Sequence, residues 1–174
     1  MTLTVWTVGH STRTADEFRA VLASQSIELV ADVRRFPGSR RLPQFAQAAL
    51  EADLHAHGLF YHWFPALGGR RSGGPAALDS GWRHRAFRAY AAHMYTEEFA
   101  DGLAELLTMA YGVRTVIMCA ELLWWRCHRR LIADVLVSLG VDVIDIRDAG
   151  FAEPHRLVPP AQLVGGALAY PPAP

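Results

Sequence analysis

Two cysteines stand eight positions apart, Cys119 and Cys127, and the second lies in the run Arg126-Cys127-His128-Arg129. A thiol between guanidiniums and an imidazole, near a helix N-terminus, has a lowered pKa and some nucleophilicity. Two carboxylates occupy comparable places: Asp32 shortly before Arg34, and Glu121 shortly after Cys119. At the ends of apolar strands partial desolvation raises a carboxylate's pKa, so Asp32 or Glu121 could orient a water or protonate a leaving group. His10 and His128 are further acid–base candidates. Ser11, Arg34, Ser39, Arg40, Arg41, Cys119 and Arg129 are candidates for binding an anionic substrate. Trp124 and Trp125, consecutive and close to arginines, suit stacking on a flat ring, or else anchoring a partner protein. A plainer alternative stands beside each: Asp32 and Arg34 pair with one another, and the cysteines are inert core thiols.

The cysteine spacing argues against other chemistries. Structural zinc favours close cysteine pairs and about four ligands, which one adjacent histidine does not complete. Arg126 follows Cys119 by seven positions, a register that misses the cysteine-to-arginine spacing of tyrosine phosphatase loops. No metal and no cofactor are therefore expected, although a phosphoesterase with a metal held by Asp32 and Glu121 stays open as an alternative.

These residues need elements to position them. Near-continuous apolar runs at residues 4–8, 27–33, 115–119 and 141–146 read as parallel strands covered on both faces. Thr14 and Glu17 form a capping box ahead of a helix over residues 14–25, and Leu131, Val135 and Leu139 give a helical stripe over 127–139 with Gly140 as its stop. Pro43 starts a helix to about His57, residues 60–64 form a further strand, and a long helical region over 83–109 breaks near Tyr95-Thr96. Gly68-Gly69 and the stretch 72–75 are expected to be a flexible loop, and Gly165-Gly166 the turn of a terminal hairpin. Strand, helix and strand recur at both ends of the chain, so the expectation is a single α/β domain over 1–174. If its sheet is parallel, the motifs around His10, Asp32 and Cys119 share one crevice beyond the strands' carboxyl ends.

The 174 residues are 51% hydrophobic and 20% charged, which excludes wholesale disorder. No apolar run is long enough to span a membrane, and no basic segment precedes the first short apolar stretch, so no membrane association and no signal peptide are expected. With two cysteines, a reducing cytoplasm is the expected location. Net charge is zero, and every basic residue is arginine. Residues 34–88 nevertheless hold nine arginines against Glu51, Asp53 and Asp79. Either one positive face awaits a polyanionic partner, or these arginines pair with the acidic helix at Glu97, Glu98, Asp101 and Glu105.

Taken together, Gly9-His10-Ser11, Asp32-Val33-Arg34 with Pro37 and Ser39, Leu67-Gly68-Gly69, Cys119-Ala120-Glu121 and Cys127-His128-Arg129 resemble the bacterial family called domain of unknown function 488. The resemblance extends to the terminal Leu163-Val164-Gly165-Gly166-Ala167-Leu168-Ala169-Tyr170 hairpin. It implies a Rossmann-like α/β fold, three layers around a mostly parallel sheet, with a site at those motifs. The residues themselves suggest an enzyme acting on DNA or a nucleotide, expected to hydrolyse the N-glycosidic bond of a modified base. A carboxylate would orient water, and the base would be taken from its stack. The competing expectation is a nucleotide- or anion-binding module, or a thiol redox sensor with Cys119 and Cys127 as a reversible pair.

Overall fold

The computed structural model describes residues 2–72 and 80–173; the Gly73, Gly74 and Pro75 part of the expected flexible loop, and Asp79, lie outside them. In chain order the elements are β1 (Thr4–Gly9), α1 (Ala15–Ser24), β2 (Leu29–Asp32), α2 (Gln47–Ala56), β3 (Phe60–Trp63), α3 (Arg85–His93), α4 (Glu97–Ala110), β4 (Thr115–Cys119), α5 (Arg129–Ser138), β5 (Asp142–Asp148), β6 (Phe151–Pro154), β7 (Gln162–Val164) and β8 (Ala167–Ala169). Six strands make one sheet in the order β3-β2-β4-β1-β5-β6. The first five are parallel, and β6 returns antiparallel along β5. The hairpin β7–β8 forms a separate sheet.

Alternate strand residues face opposite sides, and each side has its own core. Trp6, Val8, Val30, Val116 and Met118 pack with Phe18 and Leu22 of α1 and Leu50 and Leu54 of α2. On the other face Val5, Ala31 and Ile117 meet Leu103 and Leu106 of α4 and Leu131, Ile132 and Leu136 of α5. This Rossmann-like arrangement of helix layers on both faces explains why the strands read as unbroken apolar runs. No helix among the described residues is long and apolar enough to cross a membrane.

The expected capping box on α1 is present. The expected helix from Pro43 is divided: a 3-10 turn, Pro43–Phe45, is followed by extended Ala46 before α2 begins. The long helical region is two helices, since Thr96 caps α4 through its hydroxyl. The strand β6 is an addition that sequence periodicity did not show, because all its residues are exposed. Gly68-Gly69 is not a flexible loop. Both glycines are buried, and a Cβ on Gly69 would come within 2.9 Å of the His128 ring, so the chain passes there because nothing larger fits.

Register places the chemistry-bearing motifs at one rim. Gly9 stands beside Cys119, and Asp32 beside Met118, so His10, Val33 and Ala120 all leave the sheet on the same side. In this strand order the β4–α5 connection must cross the end of β1 to reach the position beyond it. It does so in contact: a Cβ on Gly9 would lie 1.8 Å from the Glu121 carbonyl oxygen. The rim is therefore closed over by chain, where an open crevice was expected.

Candidate functional site: a buried dithiol at the sheet rim

Cys119 ends β4 and Cys127 leads into α5, and the two Sγ atoms are 2.7 Å apart as free thiols. They are 3% and 6% exposed. Arg129, in the first turn of α5, is 1% exposed. Its Nε donates to Cys119 Sγ at 2.9 Å, its Nη1 to Thr7 Oγ1 at 3.2 Å, and its Nη2 to the Glu121 carbonyl. Its backbone N–H donates to Cys127 Sγ at 3.4 Å. Among the described residues no carboxylate forms a salt bridge with this guanidinium. A buried cation needs a compensating charge, and among the described residues the ionisable group bonded to this guanidinium is Cys119, with Cys127 held at the same residue's backbone N–H.

The thiol titration follows from that pairing. Burial opposes ionisation of Cys127, yet the hydrogen bond from Cys119 and the nearby Arg129 outweigh it and bring its pKa down to about 6. Cys119 is pushed well above the ordinary range, by burial first and then by its bond to Cys127. The pair titrates as a unit, holding one proton and one negative charge between the sulfurs at neutral pH. His128 sits beside it: Nε2–H donates to the Val33 carbonyl at 2.8 Å, leaving Nδ1 toward Cys127 Sγ at 3.5 Å. Burial holds the ring neutral.

An adjoining cluster uses up Asp32. This carboxylate is 0% exposed. Oδ1 accepts from Arg34 Nε at 2.9 Å and from the Arg34 backbone at 3.0 Å, while Oδ2 accepts from Arg34 Nη2 and Tyr61 Oη at 2.6 and 2.7 Å. Arg34 Nη1 donates to the Phe45 carbonyl and approaches His10 Nε2 at 3.4 Å. His10 stacks on Phe45 at 4.0 Å and donates from Nδ1 to the Ser11 carbonyl. Burial, helped by Arg34, lowers its pKa to about 4. Both ring nitrogens are engaged.

The expected site thus divides. Cys119, Cys127, His128 and Arg129 come together, with His10, Asp32 and Arg34 packed alongside. Ser11 takes a left-handed conformation, φ 52°, and donates its N–H to the Ala120 carbonyl. Glu121 joins only through its backbone; its exposed carboxylate caps the turn at Leu123. Ser39 caps its own loop at Leu42, and Arg40 and Arg41 are exposed. Trp124 and Trp125 are not open platforms. They pack edge-to-face at 5.5 Å, Trp124 against His155 and Trp125 beneath Arg147. Among the described residues no group of three or more His, Cys, Asp or Glu side chains is arranged to hold a metal ion. Sequence reasoning missed Thr7, Tyr61 and Asp145, although a polar residue inside an apolar strand demands a buried partner and could have flagged Thr7 and Asp145.

Compared with known families, residues 14–136 match the one described as domain of unknown function DUF488. The chain belongs to this family. Asp32, Arg34 and the dithiol with Arg129 fall inside the matched region of this DUF488 protein, whereas Thr7, His10 and Asp145 lie outside it. No curated protein and no solved structure matched the chain.

Proposed function

We propose that this protein is a thiol redox module in which Cys119 and Cys127 form a reversible disulfide. The observation that carries this reading is the 2.7 Å approach of two sulfurs against a buried guanidinium that lacks a carboxylate partner. Such a site favours a thiolate and places the resolving sulfur beside it. With hydrogen peroxide as oxidant, the Cys127 thiolate attacks one peroxide oxygen, the O–O bond breaks and hydroxide leaves. The Cys119 sulfur then attacks the resulting sulfenic acid; the S–S bond forms, the S–O bond breaks, and the departing hydroxide takes the Cys119 proton as water. Two electrons pass from the thiols to the peroxide, and a small dithiol reverses the change. A site whose thiols are this deeply buried suits a small oxidant.

The test is intact mass and thiol titration of the full chain after mild peroxide. The expected result is loss of two hydrogens and of both titratable thiols, restored by dithiothreitol. Arg129→Met should slow thiolate alkylation at neutral pH by about tenfold or more, because the counter-cation is gone. Unchanged mass across a broad range of peroxide would overturn the proposal.

A second reading concerns the loop above the dithiol. Arg35, Arg40, Arg41 and Arg70 have no carboxylate partner among the described residues, and Phe36 is 64% exposed with the Arg35 guanidinium 5.6 Å from its ring. Of the acidic helix α4, only Glu98 engages an arginine, Arg71. Arginines without carboxylate partners, one of them against an exposed ring, suit a single-stranded nucleic acid or a nucleotide. Binding of a single-stranded oligonucleotide should weaken steeply with salt. With Asp32 fully bonded, hydrolysis of a glycosidic bond would rest on Glu121. No binding at low salt would remove this reading.

A further inference from the structure

Behind the dithiol lies a second polar cluster that the thiol chemistry does not use. The side chains of His155, Asp134 and Asp145 are sealed from solvent. His155 donates from Nδ1 to Asp145 Oδ2 at 2.7 Å and from Nε2 to Asp134 Oδ1 at 3.0 Å. A ring donating from both nitrogens is an imidazolium. Although burial opposes the charge, the two carboxylates hold its pKa up at about 9. Tyr170 donates to Asp134 Oδ2 at 3.0 Å. Thr7 donates to Asp145 Oδ1 at 2.7 Å while accepting from Arg129. The bonds form one unbroken chain from Cys119 through Arg129, Thr7, Asp145, His155 and Asp134 to Tyr170.

The far end of that chain is the C-terminal segment, residues 155–170. Arg130 of α5 donates to the carbonyls of Val158 and Pro159 at 2.7 and 2.8 Å, and lies over Trp82. The Tyr170 ring packs on Trp82 at 5.2 Å, and its carbonyl accepts from the Gly81 N–H. The segment is a strap pinned to the same helix whose first turn carries Arg129. Within this sealed region Arg129, Arg130 and His155 face Asp134, Asp145 and the single negative charge of the dithiol. The charges balance only while the dithiol is reduced.

We propose that the strap is a redox-gated clasp: oxidation of Cys119 and Cys127 removes the thiolate, and the unbalanced Arg129 charge, passed through Thr7, Asp145, His155 and Asp134, releases Tyr170 and residues 155–170 from α5. This rests on the thiol reading above. Disulfide formation also removes the acceptor of Arg129 Nε, and the guanidinium is left to compete for Asp145. His155, with Asp145 drawn away, then gives its Nε2 proton to solvent, which breaks its bond to Asp134 and undoes the anchor.

Hydrogen exchange of the full chain, before and after peroxide, tests this directly. Backbone amides of residues 155–170, together with Gly81, should exchange about tenfold or more faster in the oxidised protein, while β1 and β4 keep their protection. The double variant Cys119→Ser/Cys127→Ser, which has neither thiolate nor disulfide, should show the loosened strap without oxidant. Loss of two hydrogens with unchanged exchange in the strap overturns the clasp and leaves the redox reading standing. Exchange that rises equally throughout the sheet overturns it too, since that is global destabilisation. Failure to form the disulfide removes both.

Discussion

Asp32 shows how a residue of catalytic type can be spent on structure. Its two oxygens accept from Arg34 and Tyr61, and none of its surface reaches water. The plainer alternative visible in the sequence, Asp32 paired with Arg34, is the one the geometry realises. Asp32→Asn should destabilise the fold by about 3 kcal/mol or more in urea titration, because it leaves the Arg34 guanidinium buried without its partner. Peroxide-driven loss of two hydrogens should survive the change. A variant of unaltered stability would instead mean that Asp32 is free for chemistry. The cysteines were legible as a pair only in outline: the sequence shows their spacing and the flanking arginines, but not that Arg129 lies inward with sulfur as its partner. That inward turn comes from Thr7, distant in the chain and outside every motif, and from the backbone carbonyl of Glu121, which no side-chain pattern reveals.

At the scale of elements, the decisive feature is the crossing of the β4–α5 connection over the end of β1. The parallel strands were readable because both sheet faces are covered, and the cap of α1 because its two residues are local. The crossing was not readable, since it follows from strand order, and strand order leaves no periodicity. Its mark in the sequence is Gly9, where a Cβ would overlap the Glu121 carbonyl and backbone. Gly9→Ala must push that connection away, which also moves the carbonyl that accepts from Arg129. The expected cost is about 3 kcal/mol or more, close to the limit for a single substitution, with a slower thiolate alkylation rate at neutral pH. Thermal unfolding and alkylation measured together check this. A stable variant with unchanged alkylation would show that the connection yields without disturbing the dithiol.

For the molecule as a whole, two titrations of opposite sign share one buried region. Cys127 is lowered from 9.0 to about 6, so between those values the unfolded chain holds a proton that the folded one has lost, and stability rises with pH. His155 is raised from 6.5 to about 9, so over nearly the same interval the folded chain holds the extra proton, and stability falls with pH. The two slopes oppose each other, and thermal stability of the reduced protein should be flat between about pH 6.5 and 9. Below that plateau it should fall, because His10, His93 and His128 are neutral in the fold and protonated in the unfolded chain. Arg129→Met removes the guanidinium that favours the Cys127 thiolate and leaves no unbalanced charge to reach the strap, so the His155 slope stands alone and that variant should lose stability steadily as pH rises across the same interval. Unfolding midpoints of both proteins, measured against pH under reducing conditions, decide the matter. Parallel curves for the two proteins would mean that the sulfurs carry no charge at neutral pH, and Arg129 would then need a counter-ion other than the dithiol.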